Sequence, residues 1–332
     1  MKLTIGVLGL CALAAPAIAE ERLIFGTAIP PTHMISVQLH TPLMECISSA
    51  TGGEVQFDFL PSAQLVKHDT AVEGIASGVV DVTYLNLGTV AGDLPLHGVT
   101  ALPGTAGTPT QSLAGYRSAR AAVPELEAEL TGKGMRALIY NPFPPHQFLS
   151  RTTPIATVAD VAGKKIRIAG GAFNAFMTQI GGVPIEMPAG DIYLSLQQGV
   201  LDAVALPISS IMSYNLNEVI RSASSNANLG QGAGLVVIST AAWDALDDTA
   251  RTAFTTCSLE AEDRIAAALE TEVETTLAIL VEQGIEVFEL APEDLAALHD
   301  AMDDAAIEYV ERIAARNPAA QKVYDALVAG LQ

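Results

Sequence analysis

The chain is poor in cysteine: its 332 residues hold three, Cys11, Cys46 and Cys257. No CxxC and no clustered His/Cys set occurs, which removes the usual structural zinc signature. Positive charge is also scarce, with 17 Lys and Arg against 37 Asp and Glu and a formal net charge of −20. Long-range repulsion then argues against nucleic acid or an anionic membrane surface as partner, so an anionic ligand has to be drawn in by a local positive site. Catalytic signatures are missing too. There is no GxSxG elbow, and the histidines at 33, 40, 68, 97, 146 and 299 form no HExxH or HxxxH pair. AGKKIR lacks the upstream glycine of a P-loop, and GQGAG precedes a strand where a dinucleotide fingerprint must follow one. Neither a cofactor nor a metal is expected.

What is present begins with MKLTIGVLGLCALAAPAIAE. Lys2 is a short basic n-region, Leu3 to Leu13 an apolar stretch, and Ala17-Ile18-Ala19 a small-x-small site, which predicts export with cleavage after Ala19. The apolar run is too short to span a bilayer, and nothing else in the sequence approaches twenty apolar residues. Leu10, before Cys11, stands where a lipoprotein signal expects a small residue. Cys46 and Cys257 then remain, either as buried free thiols or as a disulfide, and the sequence leaves both readings open.

From Glu21 the pattern alternates strand and helix. RLIFGTAI reads as a strand, Ser36 to Ser49 as a helix, EVQFDFLP as a strand, DTAVEGIASG as a helix and VVDVTYLNLG as a strand. A Gly/Pro/Thr-rich passage follows, then a helix near Gln111 to Leu130 and the strand MRALIY. Four prolines in NPFPPHQFLSRTTPI mark a change of direction, after which a second α/β series of the same plan begins. From Thr240 a long Ala/Glu/Leu helix is expected, then the strand IEVFEL and two helices. Alternation of this kind predicts an α/β layer architecture with mainly parallel strands.

One residue stands out. In GKKIRIAGG, Gly163 to Gly171, strand alternation puts Ile166 and Ile168 on one face and Lys165 and Arg167 on the other. Ligands of open α/β sheets lie beyond the carboxyl ends of strands, which is where Arg167 and the glycine turn at Gly170 fall. A guanidinium offers a planar two-pronged fork to a carboxylate. Two readings stand on the residues alone: a ligand arginine, or a structural one paired with an Asp at the core edge.

At these residues the sequence resembles the extracytoplasmic solute-binding proteins of TRAP (tripartite ATP-independent periplasmic) transporters, over essentially the whole mature chain. The most specific matches are GKKIRIAGG and IGGVPIEMPAGDIYLSLQQGVLDAVALP; PPTH, TGGEVQFDFLPSAQL, SGVVDVTYLNLG and AAWDALD are weaker ones. The resemblance implies a two-domain periplasmic binding protein fold with an interdomain ligand cleft and a long bridging helix. The domains are expected at 20–144 plus about 234–271, and at 145–233 plus about 272–332.

The resemblance also implies a salt bridge from Arg167 to the ligand's carboxylate. It places Asn86 and its strand neighbour Tyr84 at the pocket, with His33 as a further contact from the first domain. Gln147 stands where some members have a second basic residue, so His146 and Gln147 offer imidazole and amide instead. Leu206 replaces an asparagine found in sialic-acid and several dicarboxylate binders, and with Phe148 and Phe173 it is expected to line an apolar part of the pocket. A monocarboxylate with an apolar or aromatic body follows as the expected ligand, delivered by a monomer to TRAP membrane subunits. The alternatives are an exported α/β hydrolase or lyase acting in the same cleft, and a sensor subunit presenting the same ligand to a receptor.

Overall fold

The computed structural model describes residues 21–331. Among these, eleven strands form two sheets: β1 (Glu21–Gly26), β2 (Val55–Leu60), β3 (Val82–Asn86), β4 (Met135–Pro142), β5 (His146–Ser150), β6 (Lys165–Ile168), β7 (Val183–Glu186), β8 (Ala203–Pro207), β9 (Ser222–Ser224), β10 (Ala233–Ser239) and β11 (Glu286–Phe288). The first sheet has the order β2-β1-β3-β10-β4 and the second β11-β9-β5-β8-β6-β7. β1 pairs in parallel with β2 and β3, as β6 does with β7 and β8. β10 and β5, the strands that follow a crossing between sheets, enter antiparallel to both neighbours. β10 is buried along its whole length, which accounts for its unbroken apolar text AGLVVIS: helices cover both faces of the sheet.

Two crossings run side by side. Phe143-Pro144-Pro145 leads from β4 to β5, and residues 225–232 lead back from β9 to β10. The Phe143 amide donates to the Gly232 carbonyl (2.9 Å), the His146 amide to Gly230 (2.8 Å) and the Leu229 amide to His146 (2.9 Å), so the two links form a short paired hinge.

The third crossing is the 35-residue helix Asp248–Glu282, about 50 Å long at 1.5 Å per residue. Its Phe254, Cys257, Ala261 and Ile265 pack with Leu43 and Ile47 under the first sheet, whereas Leu280 joins the core of the second. Cys46 and Cys257 form a disulfide across 211 residues, which ties the helix Thr41–Ala50 to this bridge and settles the choice that the sequence left open.

Several expectations change in detail. The helix expected near Gln111 to Leu130 is two, Pro109–Ala122 and Pro124–Thr131. Proline cannot continue the hydrogen-bond ladder, and it forces Val123 out of the helical region. The helix from Thr240 breaks after Ala245, and Asp247 caps the bridge by accepting from the Ala250 amide (2.7 Å). The Ser36 to Ser49 helix opens with a π-turn over Ser36–His40.

The chain's end also departs from the domain limits expected for 272–332. In the helix Pro292–Ala314, Leu298 and Met302 join Phe176 in the second core, while Tyr309, Val310 and Ile313 join Leu96 and Leu113 in the first. The helix Ala319–Ala329 then packs through Val323 and Leu327 on the first lobe's helix Pro109–Ala122. Among the described residues no helix is long and apolar enough to cross a membrane.

Candidate ligand cleft

Where the two sheets face each other, the lobes enclose a small cavity of about 40 Å³. The lobes stand close on one another here, and a ring-sized body is admitted only as they part. The first lobe contributes Ile29, His33, Ile35, His68, Asn86 and Thr89. The second contributes His146, Arg167, Leu206, Ser210 and Tyr214, and Phe143 of the hinge completes the apolar wall. Direct contacts hold the lobes together: the Met34 amide donates to Ser213 Oγ (3.3 Å), and the His33 ring meets Tyr214 edge-on at 5.0 Å.

Arg167 rises from β6 while Ile166 and Ile168 of the same strand point into the second core. It is 4% exposed. Its Nε donates to the Met187 carbonyl (3.0 Å), and among the described residues no carboxylate pairs with it and no acceptor meets its terminal nitrogens. The Asp partner of a structural arginine is therefore not there. Burial pulls its pKa down to about 10, against a small opposing pull from the Tyr214 phenol. Even so, it stays charged at neutral pH. Among the described residues no Asp or Glu lines the cavity.

Around Arg167 the polar groups are mostly donors. Asn86 Oδ1 is taken by the Thr89 amide (3.2 Å), which leaves the Asn86 amide N–H₂ free. His33 accepts from the Ile35 amide at Nδ1 (3.1 Å), which places its proton on Nε2. The cavity histidines are neutral. Burial, helped by neighbouring His68, lowers His33 to about 4. Burial and then Arg167 lower His68 to about 4, against Asp69. Burial and Arg167 hold His146 at about 4 in spite of its bond to Gly230. Burial raises the Tyr214 phenol to about 12, with Arg167 opposing. One guanidinium among neutral donors, with no acid, is an anion site. Among the described residues no group of three or more metal-ligating side chains converges to hold a metal.

Five of the ten residues expected from the sequence line the cavity: His33, Asn86, His146, Arg167 and Leu206. The other five stand back from it. Tyr84 lies one pleat deeper in β3, packed on His40, with its hydroxyl donating to Asn141 Oδ1 (3.0 Å). Gln147 is spent inside the second lobe. Its Oε1 accepts from Ser224 Oγ and the Ala227 amide (both 2.9 Å), and its Nε2 donates to Asn228 (3.0 Å).

Phe148 and Phe173 belong to the second core, where Phe173 buttresses the His146 ring at 5.0 Å. The apolar wall is made instead by Leu206 with Ile29, Ile35 and Phe143. Gly170, at φ +114°, takes the chain past Gly88 of the other lobe so closely that a Cβ would lie 3.1 Å from the Gly88 carbonyl, so it serves closure. His68, Ser210 and Tyr214 escaped the sequence reading. Tyr214 sits in a 3-10 turn ending at left-handed Asn215, and no periodicity announces such a turn.

Two α/β lobes closing over a buried cation define a solute-binding architecture, and the comparisons with known proteins agree. The family model described as "Bacterial extracellular solute-binding protein, family 7" matches residues 25–312, and the chain belongs to this family. It is a family of transport solute-binding proteins and not of enzymes. The C4-dicarboxylate-binding periplasmic protein DctP of Rhodobacter capsulatus is 27% identical, over 94% of this chain and 93% of the relative.

Among solved structures, a TRAP solute-binding protein from Rhodoferax ferrireducens with copurified benzoate superposes with a TM-score of 0.85 at 19% identity, covering 94% of this chain and 97% of that one. One from Bordetella bronchiseptica with bound (R)- and (S)-mandelate gives 0.83 at 24% identity, covering 94% and 100%. These superpositions show that the chain shares their two-lobed α/β fold.

Proposed function

We propose that this protein captures a small organic acid in the periplasm, holds its carboxylate on Arg167, and delivers it to TRAP membrane subunits. The observation that carries the reading is a buried guanidinium without a counter-ion among the described residues. Leaving a charge unpaired in the interior costs several kcal/mol, and such a residue persists where a ligand supplies the missing charge. Arg167 belongs to the second lobe, whereas His33 and Asn86 belong to the first, so an anion touching all three favours the closed form. The ligand drives closure through its higher affinity for that form.

The apolar wall of Leu206, Ile29, Ile35 and Phe143, together with Arg167 as the one cation among the described residues that line the cavity, favours a monocarboxylate with an apolar or aromatic body. A second carboxylate would sit against that wall without a counter-charge. The protein acts as a monomer, and the membrane subunits read the closed surface.

The test is thermal-shift screening of ligand-stripped protein against a library of organic acids, with wild type beside Arg167→Ala. An acid at a hundred times its dissociation constant adds roughly 2.7 kcal/mol of stability. Monocarboxylates should raise the wild-type melting temperature and leave the variant unmoved. Hits that survive the substitution would make Arg167 structural, and tight binding confined to C4-dicarboxylates or polyhydroxylated acids would overturn the ligand class.

A further inference from the structure

His33 and His146 both line the cavity, and the backbone fixes the tautomer of each. An amide N–H can only donate, so His33 Nδ1, 3.1 Å from the Ile35 nitrogen, is the acceptor and Nε2 carries the proton. A carbonyl can only accept, so His146 Nδ1, 3.0 Å from the Gly230 oxygen, carries the proton and Nε2 is a bare lone pair. Both rings stay neutral well below neutral pH. Neither Nε2 bonds to a protein group among the described residues, and neither is a sealed interior atom in the way that His40 Nε2 and His97 Nε2 are.

The polar lining therefore has one odd member. Arg167, His33 and the Asn86 amide donate, which suits the lone pairs of a carboxylate. Ser210, Thr89 and Tyr214 carry hydroxyls that rotate to donate or accept, and His68, whose Nδ1 has no hydrogen-bond partner, takes either tautomer, so these four discriminate little. His146 is the fixed acceptor of the set. A carboxylate oxygen placed against it would oppose one lone pair with another, and a plain hydrocarbon body would leave it unbonded. The ring cannot turn away. The His146 backbone amide and its Nδ1 both hold the Gly230 carbonyl in the hinge, and Phe173 backs the ring.

Resting on the carboxylate reading above, we propose that the ligand is an acid that also carries a hydroxyl or amide N–H, and that this group donates its proton to His146 Nε2. His146 is then the residue that separates hydroxy acids and cyclic-amide acids from their plain counterparts.

The test is calorimetric titration of ligand-stripped protein with matched pairs: benzoate against the three hydroxybenzoates, phenylacetate against mandelate, and cyclopentanecarboxylate against pyroglutamate. In at least one pair the donor-bearing acid should bind about 10- to 100-fold more tightly, the range for a buried partner left unbonded. His146→Leu should bring that ratio close to one by weakening the donor-bearing acid, and His146→Gln, which restores an acceptor, should recover part of it. Arg167→Ala should abolish binding of both members.

If plain acids match or exceed their partners in every pair while Arg167→Ala still abolishes binding, the carboxylate reading stands and the role of His146 falls. A preference that survives His146→Leu overturns it as well, and failure of every acid to bind wild type overturns both. Should His146→Leu not fold, the wild-type ratios decide.

Discussion

Replacing Arg167 by methionine should make the empty protein more stable while destroying its function. The side chain is 4% exposed, and burial lowers its pKa from 12.5 to about 10. At about 1.4 kcal/mol per pKa unit, holding the charged form inside costs the ligand-free fold on the order of 3 kcal/mol. Methionine keeps much of the apolar stem and removes the charge. It also removes the bond from Nε to the Met187 carbonyl, which leaves an acceptor unmet at about 1 kcal/mol. The net expectation is a gain of about 2 kcal/mol, in line with other replacements of buried charge by packed apolar groups. The assay is urea unfolding of both proteins after ligand has been stripped by denaturation and refolding. Arg167→Met should move the midpoint upward and lose any acid-induced shift. A fall of 3 kcal/mol or more in the stripped state would mean that Arg167 holds the fold together, and the reasoning from an unpaired charge would be wrong.

Three further outcomes follow. Gln147→Leu strips hydrogen bonds from Ser224, the Ala227 amide and Asn228, so urea unfolding should report a loss of about 1–3 kcal/mol while calorimetry finds acid affinity unchanged; a selective loss of affinity would return Gln147 to the site. His33, His68 and His146 sit near 4 and His40 near 3 when folded, below their unfolded 6.5, so the unfolded chain binds more protons between pH 6.5 and 4 and stability must fall as pH falls through that window. Each contributes up to about 1.4 kcal/mol per pH unit there, and a urea midpoint that stays level from pH 7 to 5 would refute the burial argument. The Cys46–Cys257 bond closes a loop of 211 residues in the unfolded chain, so the double serine variant, which frees that loop, should lose about 5 kcal/mol against oxidised wild type in the same unfolding assay.

Much of the fold was legible because its elements follow simple periods. β6 shows its alternation in four residues, and the glycines that end it are needed for positive φ at Gly170 and Gly171. The site was legible where a residue type is unusual for its place, as with a cation in an apolar strand. It was hidden where position depends on depth or on contacts between lobes. Tyr84 and Asn86 share a strand face, yet only the one at the strand end reaches the cavity. Gln147 reads as a polar pocket residue until its partners, about eighty positions away, are seen to use its amide. The final two helices are amphipathic by any count, and periodicity carries no address for the lobe that receives their apolar face.

The helix Pro292–Ala314 has a consequence for how affinity is set. Its first half is rooted in one core and its second half in the other, so opening the cleft must strain or re-seat those contacts. Apparent affinity is intrinsic affinity scaled by the fraction of molecules ready to bind, and this helix helps to govern that fraction. Substitutions at Met302 or Ile313, neither of which lines the cavity, can therefore retune how tightly the acid is held while its contacts stay unaltered. Selection acting on such a receptor has a dial for scavenging strength that is separate from the one for ligand identity.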